Sequence, residues 1–521
     1  MYNCNNFKDA WTSFSLSSIS SFRFFAFAFA FAFATVFATV FSGVAAADTY
    51  SYWWEPNSGL GFDDPAKACN YLYSQYYWSH LVSNYRPSLN RYRAGGLYDC
   101  GWNDGVEDGH FGGAQFTKID CVTDTSPDRR TKSCSSKAQV GSPVESVSCS
   151  NPSSGVGSPV NAANGNKYQE EVDFKSGGTN PIVVSRSYNS LDGLWRHNFS
   201  TSLYFGEHTV VLVHSDGRES IFLLDEQSYR SSTDSGVLIA QTDGWLYQSI
   251  SGVNLYFTSQ GYLSRAVALG SNIYTLSYRD QGPDRIITVD NDLGISIELI
   301  EDPLHQLKSI SAGDRNISYL YSSQRLVKRT TTTASNVSDR EYHYENTRNS
   351  SLLTGITDER GVRFNTWVYD AQGRTVSSQH GEGAGLTQIA YGTDGASTIT
   401  NELGKQTIYR YQQISGVKRI IAIEGEPTPD CPASNSTYTY NDRGLVLTKT
   451  DAKGLVTTYD YNDRGLEVSR TEASGTTLAR TTTTEWDPDR FLPIRVIGPN
   501  RVTVYSYDNQ GRELTRQSTS R

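Results

Sequence analysis

Tyr440-Asn441-Asp442-Arg443-Gly444-Leu445 and Tyr461-Asn462-Asp463-Arg464-Gly465-Leu466 are two copies of one phrase, with a period of 21 residues between positions 440 and 461. Further copies stand at Tyr369-Asp370-Ala371-Gln372-Gly373-Arg374 and at Tyr507-Asp508-Asn509-Gln510-Gly511-Arg512. Between them runs a second phrase, Asp451-Ala452-Lys453-Gly454 followed by Thr457 and Tyr459-Asp460-Tyr461. It is echoed by Asn401-Glu402-Leu403-Gly404, Thr407 and Tyr409-Arg410-Tyr411. Each period therefore holds two strands and two turns. Asp or Asn at a turn entrance bonds backbone amides, and the glycine that follows supplies positive φ. The tyrosine that ends each strand is expected to stack along the sheet with its hydroxyl at the wet edge. Arg443 and Arg464, beside the turn glycines, are expected to form a ladder with acidic neighbours. One hairpin of this length cannot bury a face alone, so the copies must stack into one continuous sheet. The fold predicted is mainly β: a curved, spiralling sheet of hairpins, open-edged unless it wraps onto itself.

The composition agrees. The 521 residues include 33 tyrosines, 9 tryptophans and 44 glycines, with an aromatic fraction of 12% against only 37% hydrophobic residues overall. Aromatics with abundant glycine fit strands joined by turns better than helices. A net charge of −9 leaves no basic surface to release phosphate counterions, which argues against a nucleic-acid partner. Upstream of the clear repeats the same texture begins at Tyr168, with β-rich runs at 182–184, 209–213 and 221–224 and a hairpin turn at Ser215-Asp216-Gly217-Arg218. The chain divides accordingly into 48–134, a cysteine-containing module; 135–156, a Ser/Gly/Pro-rich linker; 157–235, a β domain; and 236–521, the repeats.

The N-terminus reads as an export signal. Lys8 and Arg23 precede an apolar run from Phe24 to Phe41, and the small residues Ala45-Ala46-Ala47 lead into Asp48. That order predicts a signal peptide over 1–47 with cleavage after Ala47. The competing reading is a retained anchor, since 18 apolar residues just span a bilayer; the Ala-x-Ala ending is what an anchor does not need. After cleavage no segment is long and apolar enough to cross a membrane, and the destination is the periplasm, the cell surface or the medium. Six cysteines then remain, Cys69, Cys100, Cys121, Cys134, Cys149 and Cys431, all disulfide candidates in an oxidising compartment, with connectivity open. In the module, Asp63-Asp64-Pro65 marks a helix start, and Cys69, Leu72, Tyr73 and Tyr76 fall on one helix face. The helix is expected to stop before Arg86-Pro87, and Cys69 to staple it to a loop carrying Cys100.

The Tyr-Asp-x-x-Gly-Arg phrase and its spacing resemble the YD repeats of Rhs proteins and, more distantly, of teneurins. The stretch 157–166 (GSPVNAANGN), with Arg186-Ser187-Tyr188-Asn189-Ser190 and the stretch 193–199 (GLWRHNF), is similar to the domain of unknown function that precedes Rhs repeats. Pro429-Asp430-Cys431-Pro432 and the stretches 481–486 and 492–493 are also Rhs-like. The likeness covers about residues 155–521. It implies a bacterial polymorphic-toxin architecture, in which YD repeats wind into a hollow cocoon around a C-terminal effector. That shell ends in a core segment whose Asp-Pro-x-Gly motif self-cleaves. Here Asp487-Pro488-Asp489-Arg490 lacks the glycine, so self-cleavage and toxin activity are not carried over. The resemblance implies an incomplete shell with core and effector absent and an exposed edge near residue 521.

Few residues suggest other chemistry. The histidines have no metal-site spacing, and no nucleophile elbow or phosphate loop occurs. Asp104, Glu107 and Asp108, crowded among glycines, are the weak candidates for a calcium site; a solvated turn is the favoured reading. The carboxylates Asp290 and Asp292, or Glu301 and Asp302, are considered as glycosidase-like pairs and set aside, because acidic turn residues are common here. No cofactor and no catalytic residue is expected. The expected function is a non-enzymatic exported shell whose partner is a downstream Rhs core or effector polypeptide. The alternative is a surface adhesin that binds glycan through Trp53, Trp54, Tyr76, Tyr77 and Trp78.

Overall fold

The computed structural model describes residues 47–521 apart from 55–59, 63–64, 76–85, 88–90, 94–96, 104–107, 123–124, 128–132, 144–151, 226–227, 268–272, 426–434 and 510. Among the described residues one antiparallel sheet of 30 strands runs in unbroken chain order from Ser202–Phe205 to Glu513–Ser520. Every ladder neighbour is also a sequence neighbour, so hairpin chemistry alone dictates the order. The sheet is open: its first and last strands are not paired to each other.

The turn is built from its entrance residue. Asn441 Oδ1 accepts the N–H groups of Arg443 and Leu445, both at 3.0 Å, and the Gly444 N–H closes on the Asn441 carbonyl at 2.9 Å. Gly444 lies at φ 73°, where a side chain is strained. At Asp370 and Asp508 the same turn is reinforced, because Arg374 and Arg512 fold back onto the entrance carboxylate. Strand pairing then shifts by one residue at Tyr440, Tyr461 and Tyr507, whereas the turns at Asn401 and Asp451 carry no shift. One bulge per period adds local bend and twist.

Two expectations are corrected here. The tyrosine hydroxyls do not sit at the wet edge. Tyr369 donates to the Leu353 carbonyl at 2.6 Å, Tyr440 to Ile420 at 2.6 Å, Tyr461 to Val446 at 2.8 Å and Tyr507 to Pro493 at 2.8 Å. Each phenol thus reaches back to an upstream carbonyl, which for Tyr440, Tyr461 and Tyr507 stands at the bulge of the preceding hairpin and for Tyr369 lies just before the strand Gly355–Thr357. The arginine ladder also exists without acidic partners: Arg443 donates to the Asp463 carbonyl at 2.8 Å, and Arg464 to the carbonyls of Asp487 and Arg490. The entrance residues of those two turns are the neutral Asn441 and Asn462, so the guanidiniums bond main-chain oxygens of the next turn instead.

The sheet curls. Leu203 N–H donates to the Gly261 carbonyl at 2.9 Å, and Val237 packs against Leu466 and Phe491, residues far apart along the ladder. Against one face lies a strap, residues 137–200 where described, which includes the three-stranded sheet Tyr168–Lys175, Val183–Asn189 and Trp195–His197. Its side chains Phe174, Tyr188, Trp195 and Phe199 are buried in one core with Leu276, Leu299, Tyr342 and Trp367 of the repeats. Burying side chains of this size stabilises by roughly 1.5–3 kcal/mol each. The stretch expected as a linker is bound where it is described. Gln139 exchanges hydrogen bonds with the Lys418 backbone at 3.0 and 2.8 Å, and Val140 is buried.

The cysteine-bearing module pairs Ala47–Trp54 with the long strand Asp108–Val122 and covers them with the helix Pro65–Gln75. The described helix ends at Gln75, and residues 76–85, Tyr76 among them, lie outside the described residues. Among its described side chains Ala68, Cys69, Tyr71 and Leu72 are buried, and the side chain of Tyr73 lies outside the described residues. The disulfides Cys69–Cys100 and Cys121–Cys134 form, but Cys100 stands on the strand Leu97–Asn103 rather than in a loop. Cys149 and Cys431 lie outside the described residues. The module packs on the repeats through Tyr71 and Phe62 against Leu304, and through Tyr50 against Tyr204.

Two glycines separate backbone strain from crowding. Gly165 (φ 80°) would place a Cβ 2.4 Å from Arg374 Cβ, whereas Gly454 (φ 77°) has nothing within 4 Å. Gly454→Ala is expected to cost about 1 kcal/mol from backbone strain. Gly165→Ala should add a further 1–3 kcal/mol, roughly, of overpacking. Urea-unfolding midpoints of the two variants check the order.

Candidate functional site

The chemistry-bearing side chains that the fold brings together lie where the strap meets the repeats. Asp173 is the centre. It stands on the bulged strand Tyr168–Lys175, and its side chain is 0% exposed. Arg186, 1% exposed, binds it with two N–H groups, Arg329 at 2.9 Å and the Tyr319 hydroxyl at 2.6 Å. The Arg186 guanidinium lies 4.6 Å from the Trp195 ring centroid and 4.7 Å from that of Tyr319, an arrangement that attracts a desolvated cation. Burial pushes the Asp173 carboxyl up, but Arg186 and Arg329 outweigh it and hold the group below the usual carboxylate range. The network continues outward through Glu359, Arg340 and Glu171.

A second cluster sits at the turn Asp302–Gln306. Glu301 accepts from His197 of the strap at 2.9 Å and from His305 at 3.1 Å. Burial raises Glu301, and the two histidines more than reverse this, so the group stays ionised. Burial pushes Asp302 up to about 7, against two backbone N–H bonds from Gln306 and Leu304. Beside these groups opens a shallow surface pocket lined by Lys67, Asp284, Arg285 and His305 among others. Further along the strap, Lys167 is fully buried. Its ammonium donates to the carbonyls of Ser158 and Tyr168 and to Gln169, and lies 4.2 Å from the Trp367 ring centroid. Desolvation pulls its pKa well down.

The residues singled out by pattern fall elsewhere. The repeat residues Tyr369, Asp370, Gly373, Arg374, Tyr440, Gly444, Tyr461, Gly465, Tyr507, Asp508, Gly511 and Arg512 are turn and bulge positions of the sheet. Asp104 and Glu107 lie outside the described residues, as does the side chain of Asp108, which begins its strand. Among the described residues no group of three His, Cys, Asp or Glu is placed to hold a metal ion. Asp292 accepts from Asn180 of the strap, a joint of the two layers. Trp53 packs on Phe116, ring centroids 5.0 Å apart; Tyr76, Tyr77 and Trp78 and the side chain of Trp54 lie outside the described residues. Asp173 and Lys167 had no sequence signal, because Arg329 and Tyr319 reach Asp173 from 156 and 146 residues away and Lys167 is packed against the distant Trp367.

An open sheet of antiparallel hairpin repeats, with an upstream strap bonded across one face, defines a β-repeat class of protein. Residues 157–222 match the family model described as Domain of unknown function (DUF6531), and residues 440–477 match the one described as RHS Repeat. Together the two matches support an Rhs/YD-repeat protein. No curated protein matches it. Among solved structures, that of TcdB2-TccC3-Cdc42 aligns at 11% identity over 81% of this chain and 25% of that chain, with a TM-score of 0.27. That of TcdB2-TccC3 aligns at 10% identity over 81% and 26%, also with a TM-score of 0.27. The chain spans about a quarter of the length of both.

Removing a buried charge's partner costs far more than replacing the pair by apolar groups. Asp173→Ala is therefore expected to destabilise by about 3–5 kcal/mol, and Asp173→Leu with Arg186→Met to recover most of that. Because the folded carboxyl titrates below its unfolded value, its contribution is complete above the ordinary carboxylate range and lost as the pH falls through the lower folded value. Urea titrations near neutral pH and again in acid read both effects.

Proposed function

We propose that this protein is an exported, non-enzymatic Rhs/YD-repeat shell that encloses or displays another polypeptide. The observation that carries the reading is the strap itself. The repeat face already holds an extended polypeptide, in part through its main chain: Ser397 donates to the Ala162 carbonyl at 2.6 Å, Thr375 to Gly165 at 3.0 Å and Lys418 to Ala163 at 2.8 Å. Bonds to main-chain carbonyls are tolerant of sequence, which suits a surface that must hold a variable cargo. Strands from Ser436–Tyr440 onward repeat the same tyrosine positions on that face. RHS repeats typically build a shell rather than a catalytic centre.

Export rests on residues 1–47, whose charged, apolar and small-residue order suits a signal peptidase. Among the described residues no helix is long and apolar enough to cross a membrane.

The test is co-expression of the chain with the polypeptide encoded directly beside it, followed by purification and trypsin digestion. The expected outcome is a co-purifying partner that resists trypsin until the complex is unfolded in urea. A partner that fails to co-purify, or that is cut as fast as it is alone, would overturn the shell reading. Export is read separately by fusing residues 1–60 to a reporter active only outside the cytoplasm. Activity is expected, and its loss on Phe31→Arg.

A further inference from the structure

The strap shows how the repeat face takes a carboxylate. Tyr319 and Arg329 are cross-strand partners, and together they hold Asp173. The phenol donates to one carboxylate oxygen at 2.6 Å and the guanidinium to the other at 2.9 Å. The place of this pair in its repeat is definite: Tyr319 stands two residues before Tyr321, where the strand pairing shifts. The next residue across the ladder is Arg340, which donates to Glu171, the other acid on that side of the same strap strand, at 2.9 Å.

The pair recurs downstream. Tyr459 stands two residues before Tyr461, at the same shift, and its cross-strand partner is Arg470. Tyr505 stands likewise before Tyr507 and is partnered by Arg516. These positions lie on the face that carries the strap. Tyr409 packs both with Val160 and Ala162 of the strap and with the cluster of Tyr438 and Tyr459. Among the described residues that cluster is made of repeat residues alone, whereas the strap's bonds reach the repeats at Lys418.

The two downstream pairs differ in what their arginines touch. Arg516 is taken by Glu513 at 2.9 Å. Arg470 has only Glu467 and Glu472 near it, at 3.9 and 3.8 Å, beyond hydrogen-bond reach. Its Nε is buried with no hydrogen-bond partner, yet the side chain as a whole is 36% exposed, so an incoming group can meet it. Glu472 faces Arg480 across the ladder, and the local charges balance, Arg470 and Arg480 against Glu467 and Glu472. A guanidinium without a close acceptor gains most from a charge-assisted bond to a carboxylate. The next position across the ladder is Thr482, where the strapped region has Arg340, so the chemistry here suits one carboxylate rather than the strap's two.

We propose that Tyr459 and Arg470 form a carboxylate seat for an acidic residue on an extended segment of the enclosed polypeptide, as Tyr319 and Arg329 are for Asp173 of the strap. The inference rests on the reading that this face holds another polypeptide, and it adds the chemistry of the part that is held.

Fluorescence anisotropy of a labelled oligo-glutamate peptide with the purified full chain at low ionic strength tests the seat. A Gly/Ser peptide of equal length is the comparison. The glutamate peptide is expected to bind more tightly than the Gly/Ser peptide, and Arg470→Gln to weaken it about tenfold. Tyr459→Phe, which keeps the ring in its core, should weaken it about threefold. Arg410→Gln removes the same charge from the opposite face, next to Tyr409 and Tyr411, and should leave the affinity unchanged. Equal binding of the two peptides, or an Arg470→Gln variant that binds as tightly as the wild type, would overturn the proposal. A neighbouring polypeptide that co-purifies and resists trypsin equally with Arg470→Gln would overturn the seat and leave the shell standing. Glutamate binding that depends on Arg470, with no co-purifying partner, would uphold the seat and overturn the shell.

Discussion

The phenol-to-carbonyl bond is the contact on which the sheet depends. A hairpin of about twenty residues has too little face to bury, and stacked hairpins hold together only if each is fixed to the one before it. The tyrosine does this in a single side chain. Its ring covers the inner face, and its hydroxyl satisfies a main-chain carbonyl of the preceding hairpin, as Tyr461 does at Val446 and Tyr507 at Pro493. That carbonyl stands at the preceding hairpin's bulge, the entrance Asx residue caps the turn, and the glycine takes the left-handed position. Together they hold the next hairpin in register.

Repeats alone leave one face of such a sheet bare. The strap covers part of it, and the joint is polar at its centre: Asp173 with Arg186 and Arg329, Glu301 with His197, Lys167 with main-chain oxygens. Buried ion pairs contribute little net stability, because desolvation consumes most of the attraction. They are costly to mispair, however, so a strap shifted by one residue would strand a charge. The apolar core of Trp195, Tyr188 and Trp367 supplies the adhesion, and the charges select the register.

The repeats tolerate chemical change wherever the backbone of the turn survives. At Asp302–Gln306 the turn hydrogen bonds are intact while tyrosine and glycine have given way to glutamate and histidine. The same turn then serves as the seat for the module and the strap. Arg443 and Arg464 show the same economy, bonding the next turn's main chain where the entrance residue is a neutral asparagine.

Much of the architecture was legible in the chain itself. The spacing of Tyr440 and Tyr461 determines the hairpin period, the Asx and Gly positions determine the turns, and the helix expected from Pro65 begins there. These are local effects, and local sequence carries them. What the sequence could not carry was every contact that joins distant segments. The phenols were expected at a wet edge, since nothing near Tyr369 announces the Leu353 carbonyl sixteen residues back. The segment 135–156 read as a linker because its composition is polar, yet Gln139 is bonded to Lys418, 279 residues away. Asp173, Arg186 and Arg329 are ordinary surface residues by type. Only the folded chain, by removing water from around them, turns their charges into a constraint.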